Sequence, residues 1–147
     1  MAQSNNFFSD IEKQQIINAI QKSESFTSGE IKIHLEDKCG DDVLKRAKEL
    51  FHKLKMDETA LKNGVLIYLA IKDKKFAIIG DVGIDSLVPE NFWDAIKNKM
   101  QEEFSHGNFL AGILFAVEQA GEQLKIYFPF HKEDVNELND EISFGND

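Results

Sequence analysis

Apolar residues recur along this chain in two rhythms, one near 3.6 residues and one of two, and the switches between them mark out its elements. Ser9 and Glu12 have capping-box spacing, and Ile11, Ile16, Ile17 and Ile20 then build the stripe of a first helix ending near Ser23. Over residues 29–36 the rhythm becomes two: Ile31, Ile33 and Leu35 alternate with Glu30, Lys32 and His34. That pattern predicts a half-buried strand, at an edge or partly in solvent. Gly40, Asp41 and Asp42 open a second helix, with Val43, Leu44, Ala47, Leu50, Phe51 and Leu54 at helical spacing. Its acids stand at the start and Lys53 and Lys55 at the end, as the helix dipole favours. Asn63 and Gly64 lead into residues 65–71, a continuous apolar run that predicts a central strand covered on both faces.

Lys72, Asp73 and Lys74 are too few for a crossover, so residues 75–80 should return as an antiparallel partner. Pro89 then marks a helix start. Phe92, Trp93, Ile96, Met100 and Phe104 share one face before a stop at Gly107. Asn108 is expected to cap a last helix running from Phe109 to about Glu122. It is apolar nearly all round, with Gly112, Ala116 and Ala120 four residues apart. Residues 125–130 read as a short strand or a packed extension. The order α, β, α, β, β, α, α predicts an α/β fold, a three-layer α/β/α sandwich around a small mixed sheet. The predicted domain spans residues 9–130, between a flexible N-terminus at 1–8 and an acidic, mobile tail at 131–147.

Charge changes the picture chiefly through that tail. The chain carries −9, but residues 133–147 hold six carboxylates and no Lys or Arg, and setting them aside brings the net charge to −3. The body is mildly acidic and lacks a basic stripe, which disfavours nucleic acid and anionic membranes. The first fifteen residues lack a basic region followed by an apolar run, and no stretch reaches membrane-spanning length. The expectation is a cytoplasmic monomer. Cys39 is the one cysteine, so no intrachain disulfide forms.

Walker, dinucleotide-binding, paired-histidine and Gly-x-Ser-x-Gly patterns are all missing. Cys39 and Arg46 miss by one residue the spacing that would cradle a phosphate over a thiolate. Cys39, His34, His52 and His106 therefore read as structural or surface residues. What remains is carboxylate in loops. Asp81 and Asp85 flank Gly83 directly after a strand, where glycine lets the backbone bend so that oxygens converge on a hard cation. The alternative is that both acids form turns and cap the next helix. A second cluster, Glu36, Asp37, Asp41 and Asp42, lies at the carboxyl end of a parallel strand, the usual ligand position in open α/β sheets. Its alternative is N-capping and a solvated turn. Neither has EF-hand spacing, so calcium affinity should be low, with dissociation constants of about 0.1 to 1 mM or weaker.

Glu30 to Leu35, then Asn63-Gly64-Val65-Leu66-Ile67, the Asp73-Lys74-Lys75 hairpin and Gly80-Asp81-Val82-Gly83-Ile84-Asp85 together resemble the TPM domain family. Phe104, Gly107, Asn108, Phe109 and Gly112 resemble its closing helix motif, so the similarity covers roughly residues 10–125. The resemblance implies an α/β/α sandwich, calcium binding in loops in some members, and a phosphatase activity in the plant type. Where the family usually has Gly-Tyr-Gly after the third strand, this chain has Gly80, Asp81, Val82 and Gly83, and Asn108 stands where an acid is common. Carried over by position, the resemblance points to Asp81 and Asp85 with Asn63 and Glu30 as oxygen donors to a divalent cation. Three functions follow: a metal-binding regulatory module, a metal-dependent phosphomonoesterase with Asp81 as ligand or base, or an adaptor meeting a protein partner through the tail.

Overall fold

The computed structural model describes residues 6–130 and 142–145. The chain runs α1 (Asp10–Glu24), β1 (Glu30–Glu36), α2 (Val43–Lys53), a single 3-10 turn (Met56–Glu58), β2 (Gly64–Ala70) and β3 (Lys75–Gly80). It continues through α3 (Val82–Asp85), α4 (Phe92–Ser105), α5 (Phe109–Tyr127) and β4 (Ser143–Phe144). Strand order is β3-β2-β1-β4. β1 runs parallel to β2, with Ile33 opposite Ile67, while β3 returns antiparallel to β2, with Ile78 opposite Ile67.

The two faces of the sheet follow from period-two alternation. Ile31, Ile33 and Leu35 of β1 join Val65, Ile67 and Leu69 of β2 in the larger core under α1, α4 and α5. Leu66, Tyr68 and Ala70 face the other way, against Ala47, Leu50 and Phe51 of α2. These layers are the expected three-layer sandwich with a mixed sheet. The capping box at α1 is present, with Ser9 Oγ accepting from the Glu12 amide at 3.1 Å and Glu12 Oε1 accepting from the Ser9 amide at 3.0 Å. Gly112, Ala116 and Ala120 are buried along α5, and a Cβ at residue 112 would fall 2.5 Å from the Phe104 ring of α4. That contact is why a glycine sits there.

Four expectations change. β1 is neither an edge strand nor partly solvated: it lies between β2 and β4, and Glu30, His34 and Glu36 are all buried. The polar half of its alternation lies on the α2 side of the sheet, where Glu36 meets Arg46 and only Lys32 is partly exposed. The tail is not wholly a mobile end, because Ile142 is buried and residues 143–144 pair in parallel with His34 and Leu35; residues 131–141 lie outside the described residues. At the N-terminus, which was expected to be flexible, Phe8 is 3% exposed and Phe7 stands edge-on to Phe109 at 5.0 Å. Residues 1–5 lie outside the description. Finally α5 continues to Tyr127, and in place of a strand over residues 125–130 there is one antiparallel bridge, Thr27 to Pro129. Among the described residues no helix is long and apolar enough to cross a membrane.

Candidate functional site

At one end of the sheet, the start of the parallel pair meets the close of β3. Glu30 stands opposite Gly64 in register, and the Asp81 amide donates to Gly64 O at 2.9 Å. The fold thus brings Glu30, Asn63 and Asp81 to one end of the sheet, as their order in the sequence implies. Residues 82–85 form α3 rather than an open loop, with Asp81 at its N-cap: Asp81 Oδ1 accepts from the Val82 amide at 2.8 Å. The other oxygen, Oδ2, is buried and meets no hydrogen-bond donor among the described residues. A carboxylate oxygen in that condition is costly unless something positive satisfies it. Glycine at 83 is a packing necessity, since a Cβ there would lie 2.2 Å from Leu61 O and 2.4 Å from Lys62 O. The α3 turn therefore rests directly on the backbone of the residues leading to β2.

The neighbours of Asp81 are more committed. Asp85 Oδ1 accepts from Trp93 Nε1 at 2.8 Å, which ties α3 to α4. Asn63 is buried; its amide nitrogen donates to Ser28 Oγ at 3.5 Å, and its carbonyl accepts from the Glu30 amide at 3.4 Å.

The second predicted cluster, at the carboxyl end of β1, is dispersed among structural tasks. Asp42 caps α2, Oδ1 accepting from the Lys45 amide at 3.1 Å. Asp37 stands 3.4 Å from Lys72 Nζ, and Asp41 is exposed. Asp73, from the β2–β3 hairpin, accepts from the Cys39 amide at 2.8 Å and from its thiol at 3.4 Å. Burial and then the Asp73 carboxylate push the Cys39 thiol up, the opposite of what a nucleophilic thiolate needs. Glu36 is bonded to Arg46 of α2. Among the described residues no three His, Cys, Asp or Glu side chains gather around a common metal position.

Glu36 instead anchors a network that the sequence reading missed. Its carboxylate is 1% exposed and accepts from Arg46 Nε at 2.7 Å and Nη2 at 2.8 Å, and from the Tyr68 hydroxyl. His34 stacks on Tyr68 with ring centres 6.0 Å apart, and its Nε2 lies 3.9 Å from Glu36 Oε1. Its Nδ1 is bonded to Ser143 Oγ of β4 at 2.9 Å. Burial pushes the Glu36 carboxyl up, but the hydrogen bonds from Arg46 and Tyr68 outweigh burial and hold it below its ordinary range. For His34 burial prevails over the nearby Glu36 charge and pushes it down. The one sequence signal available was the polar half of β1, residues 34 and 36, and a tyrosine in the apolar run that pairs beside it, where Tyr68 stands opposite His34.

Comparison with known proteins follows the same outline. A family model described as the TPM domain, and named for a phosphatase, matches residues 1–123. The BA42 protein of the psychrophilic bacterium Bizionia argentinensis, solved by NMR, is 46% identical, with a TM-score of 0.89 over 99% of this chain and 100% of its own. The N-terminal domain of a protein from P. gingivalis shares the fold at 17% identity and a TM-score of 0.68, covering 84% of this chain and 82% of that one. An N-terminal domain from Corynebacterium glutamicum does so at 16% identity and 0.64, covering 80% and 74%. No curated protein matches.

Proposed function

Because the chain belongs to the TPM domain family, we propose that it is a cytoplasmic binding module whose loop at Asp81 takes a divalent cation, calcium, with low affinity. The observation that supports this reading is Asp81 Oδ2, a buried carboxylate oxygen with no donor among the described residues, at a sheet end where loops converge. Calcium accepts carbonyl and amide oxygens as readily as carboxylates, so the crowded Leu61 and Lys62 carbonyls and the Asn63 side chain are of the right type to complete its shell with water. Glu30 adds a carboxylate at the same end of the sheet, while Asp85 is held by Trp93. The absence of three grouped acidic or histidine ligands among the described residues is why the affinity is low. A bound cation supplies charge neutralisation and order to this loop.

A calcium titration followed by residue-resolved NMR tests the reading. Amide shifts should centre on residues 61–64 and 81–85, with a dissociation constant of about 0.1 to 1 mM or weaker. Mass action then adds about 1.4 kcal/mol of stability at tenfold excess over that constant. Asp81→Asn should weaken the response and Asp42→Asn leave it intact. The reverse pattern places the site at the opposite end of the sheet and ends this assignment.

The name of the family model favours a second reading, a metal-dependent phosphomonoesterase in which the cation activates water and Asp81 is its ligand or the base. Turnover of a chromogenic phosphate ester that chelator and Asp81→Asn both abolish would establish it. Absence of turnover at saturating metal leaves the binding role.

A further inference from the structure

β4 is two residues long, yet every position around it is read by the body of the protein. Ile142 is buried in the larger core and Phe144 packs against the same core, with Lys13 Nζ 5.4 Å from its ring centre. Between them Ser143 points to the other face and meets His34 Nδ1 at 2.9 Å. Gly145 donates its amide to Leu35 O at 2.8 Å, and a Cβ there would fall 2.6 Å from Glu36 Cβ, so no larger residue fits without a shift. The groove has a defined upstream limit as well: the Ile31 amide, on the same edge of β1, donates to Glu24 Oε2 at 2.8 Å. A strand laid on this edge is therefore stopped by α1 at one side and by Glu36 at the other.

These features are those of a peptide site of the strand-addition kind, in which backbone hydrogen bonds supply affinity and alternate pockets supply specificity. Without β4, β1 would be an edge strand, and an open edge is a template for pairing. From this geometry we propose that the β1 edge over Ile33–Glu36 is a strand-acceptor site for an extended peptide reading branched aliphatic, Ser, aromatic, Gly, and that the chain's own residues 142–145 occupy it in cis. A partner segment with that pattern binds by displacing β4. The tethered segment competes at a high effective concentration, so the resident strand acts as an autoinhibitor of the site. The His34–Glu36–Arg46–Tyr68 network is the floor that keeps the groove in shape when β4 leaves. The site is independent of the cation reading, which concerns the other end of the sheet.

The test uses the full chain and a fluorescein-labelled peptide, Asp-Glu-Ile-Ser-Phe-Gly-Asn-Asp, followed by fluorescence anisotropy. Phe144→Asp in the protein should dislodge the cis strand and tighten binding of the labelled peptide at least about tenfold relative to the unaltered chain. The same peptide with Val in place of Gly should bind neither protein. Amide shifts on peptide addition should fall on Ile33–Glu36. Equal affinity of both proteins for both peptides overturns the proposal, as does a Phe144→Asp chain with the native circular dichroism spectrum that binds no peptide. Should that variant lose its native spectrum, Ser143→Ala decides: removing only the His34 bond should give a smaller gain, about threefold, and no gain overturns the proposal.

Discussion

Glu36 and Asp81 are carboxylates near opposite ends of one small sheet, and their surroundings differ in kind. Glu36 is almost wholly buried, and three donor groups from two other elements converge on it. Asp81 spends one oxygen on the first turn of α3 and leaves the other buried without a donor among the described residues. A carboxylate satisfied by a guanidinium and a phenol is bound into the structure, and removing either partner strands a charge. One left half-satisfied is available to something that arrives from outside. Burial of an acid therefore says little by itself about its role in this protein; the donors that meet it differ from one carboxylate to the next.

The comparison breaks first at Arg46. Arg46→Ala leaves Glu36 ionised and buried without its main partner, and should cost about 3 kcal/mol, the lower end for such a loss because Arg46 is itself 32% exposed. A fall in the urea midpoint at constant slope would register it. Next comes Gly83→Ala, where the new methyl meets backbone oxygens rather than a movable side chain. A cost of about 1 to 3 kcal/mol is expected, with loss of the calcium response if the displaced loop is the site. Asp81→Asn should be far milder without cation, within about 0.5 kcal/mol, since Asn also caps helices. A large loss there would mean that Asp81 is as structural as Glu36.

Acid sharpens the contrast. Glu36 has a lowered folded value, so its contribution to stability is present above the ordinary carboxylate range and is lost as pH falls through that lowered value. His34, also lowered, stays neutral in the folded chain while the unfolded chain takes up a proton below the ordinary histidine value of 6.5. The unfolded state then binds more protons, and stability falls as pH drops from about 6.5 downward. His34→Gln should flatten the upper part of this decline and leave the carboxylate part. Melting temperatures measured from pH 7 to pH 4 would show the two steps, and an unchanged profile in the variant would remove His34 from the account.

Much of this was legible in advance, for reasons that particular elements make plain. The apolar run beginning at Val65 had to be an interior strand, because nothing but two covered faces accommodates it. A four-residue link between two strands forced β3 to return antiparallel, and that return delivered Asp81 to Gly64. The same alternation misled at β1. Glu30, Lys32 and His34 read as a partly solvated row, because polar residues at period two normally face water, yet Glu30 and His34 are buried, as is Glu36 beyond them. Here they lie on the face of the sheet that Leu66 and Tyr68 turn toward α2, and for Glu36 it is Arg46 and Tyr68 that supply the hydrogen bonds burial demands.

The chain alone thus determined the secondary structure, the mixed three-layer sandwich and the location of an acidic loop at a sheet end. Each of these depends on local steric periodicity or on the length of a connection, and both are written in consecutive residues. Tertiary structure decided which carboxylate is satisfied, that Arg46 reaches across from α2 to Glu36, and that Ile142 and Phe144 dock beside β1. A two-residue strand in an acidic stretch has no period to detect. Its pairing is chosen by an edge more than a hundred residues away in sequence, through a histidine, a glycine-sized gap and a core surface that exist only once the sheet has formed.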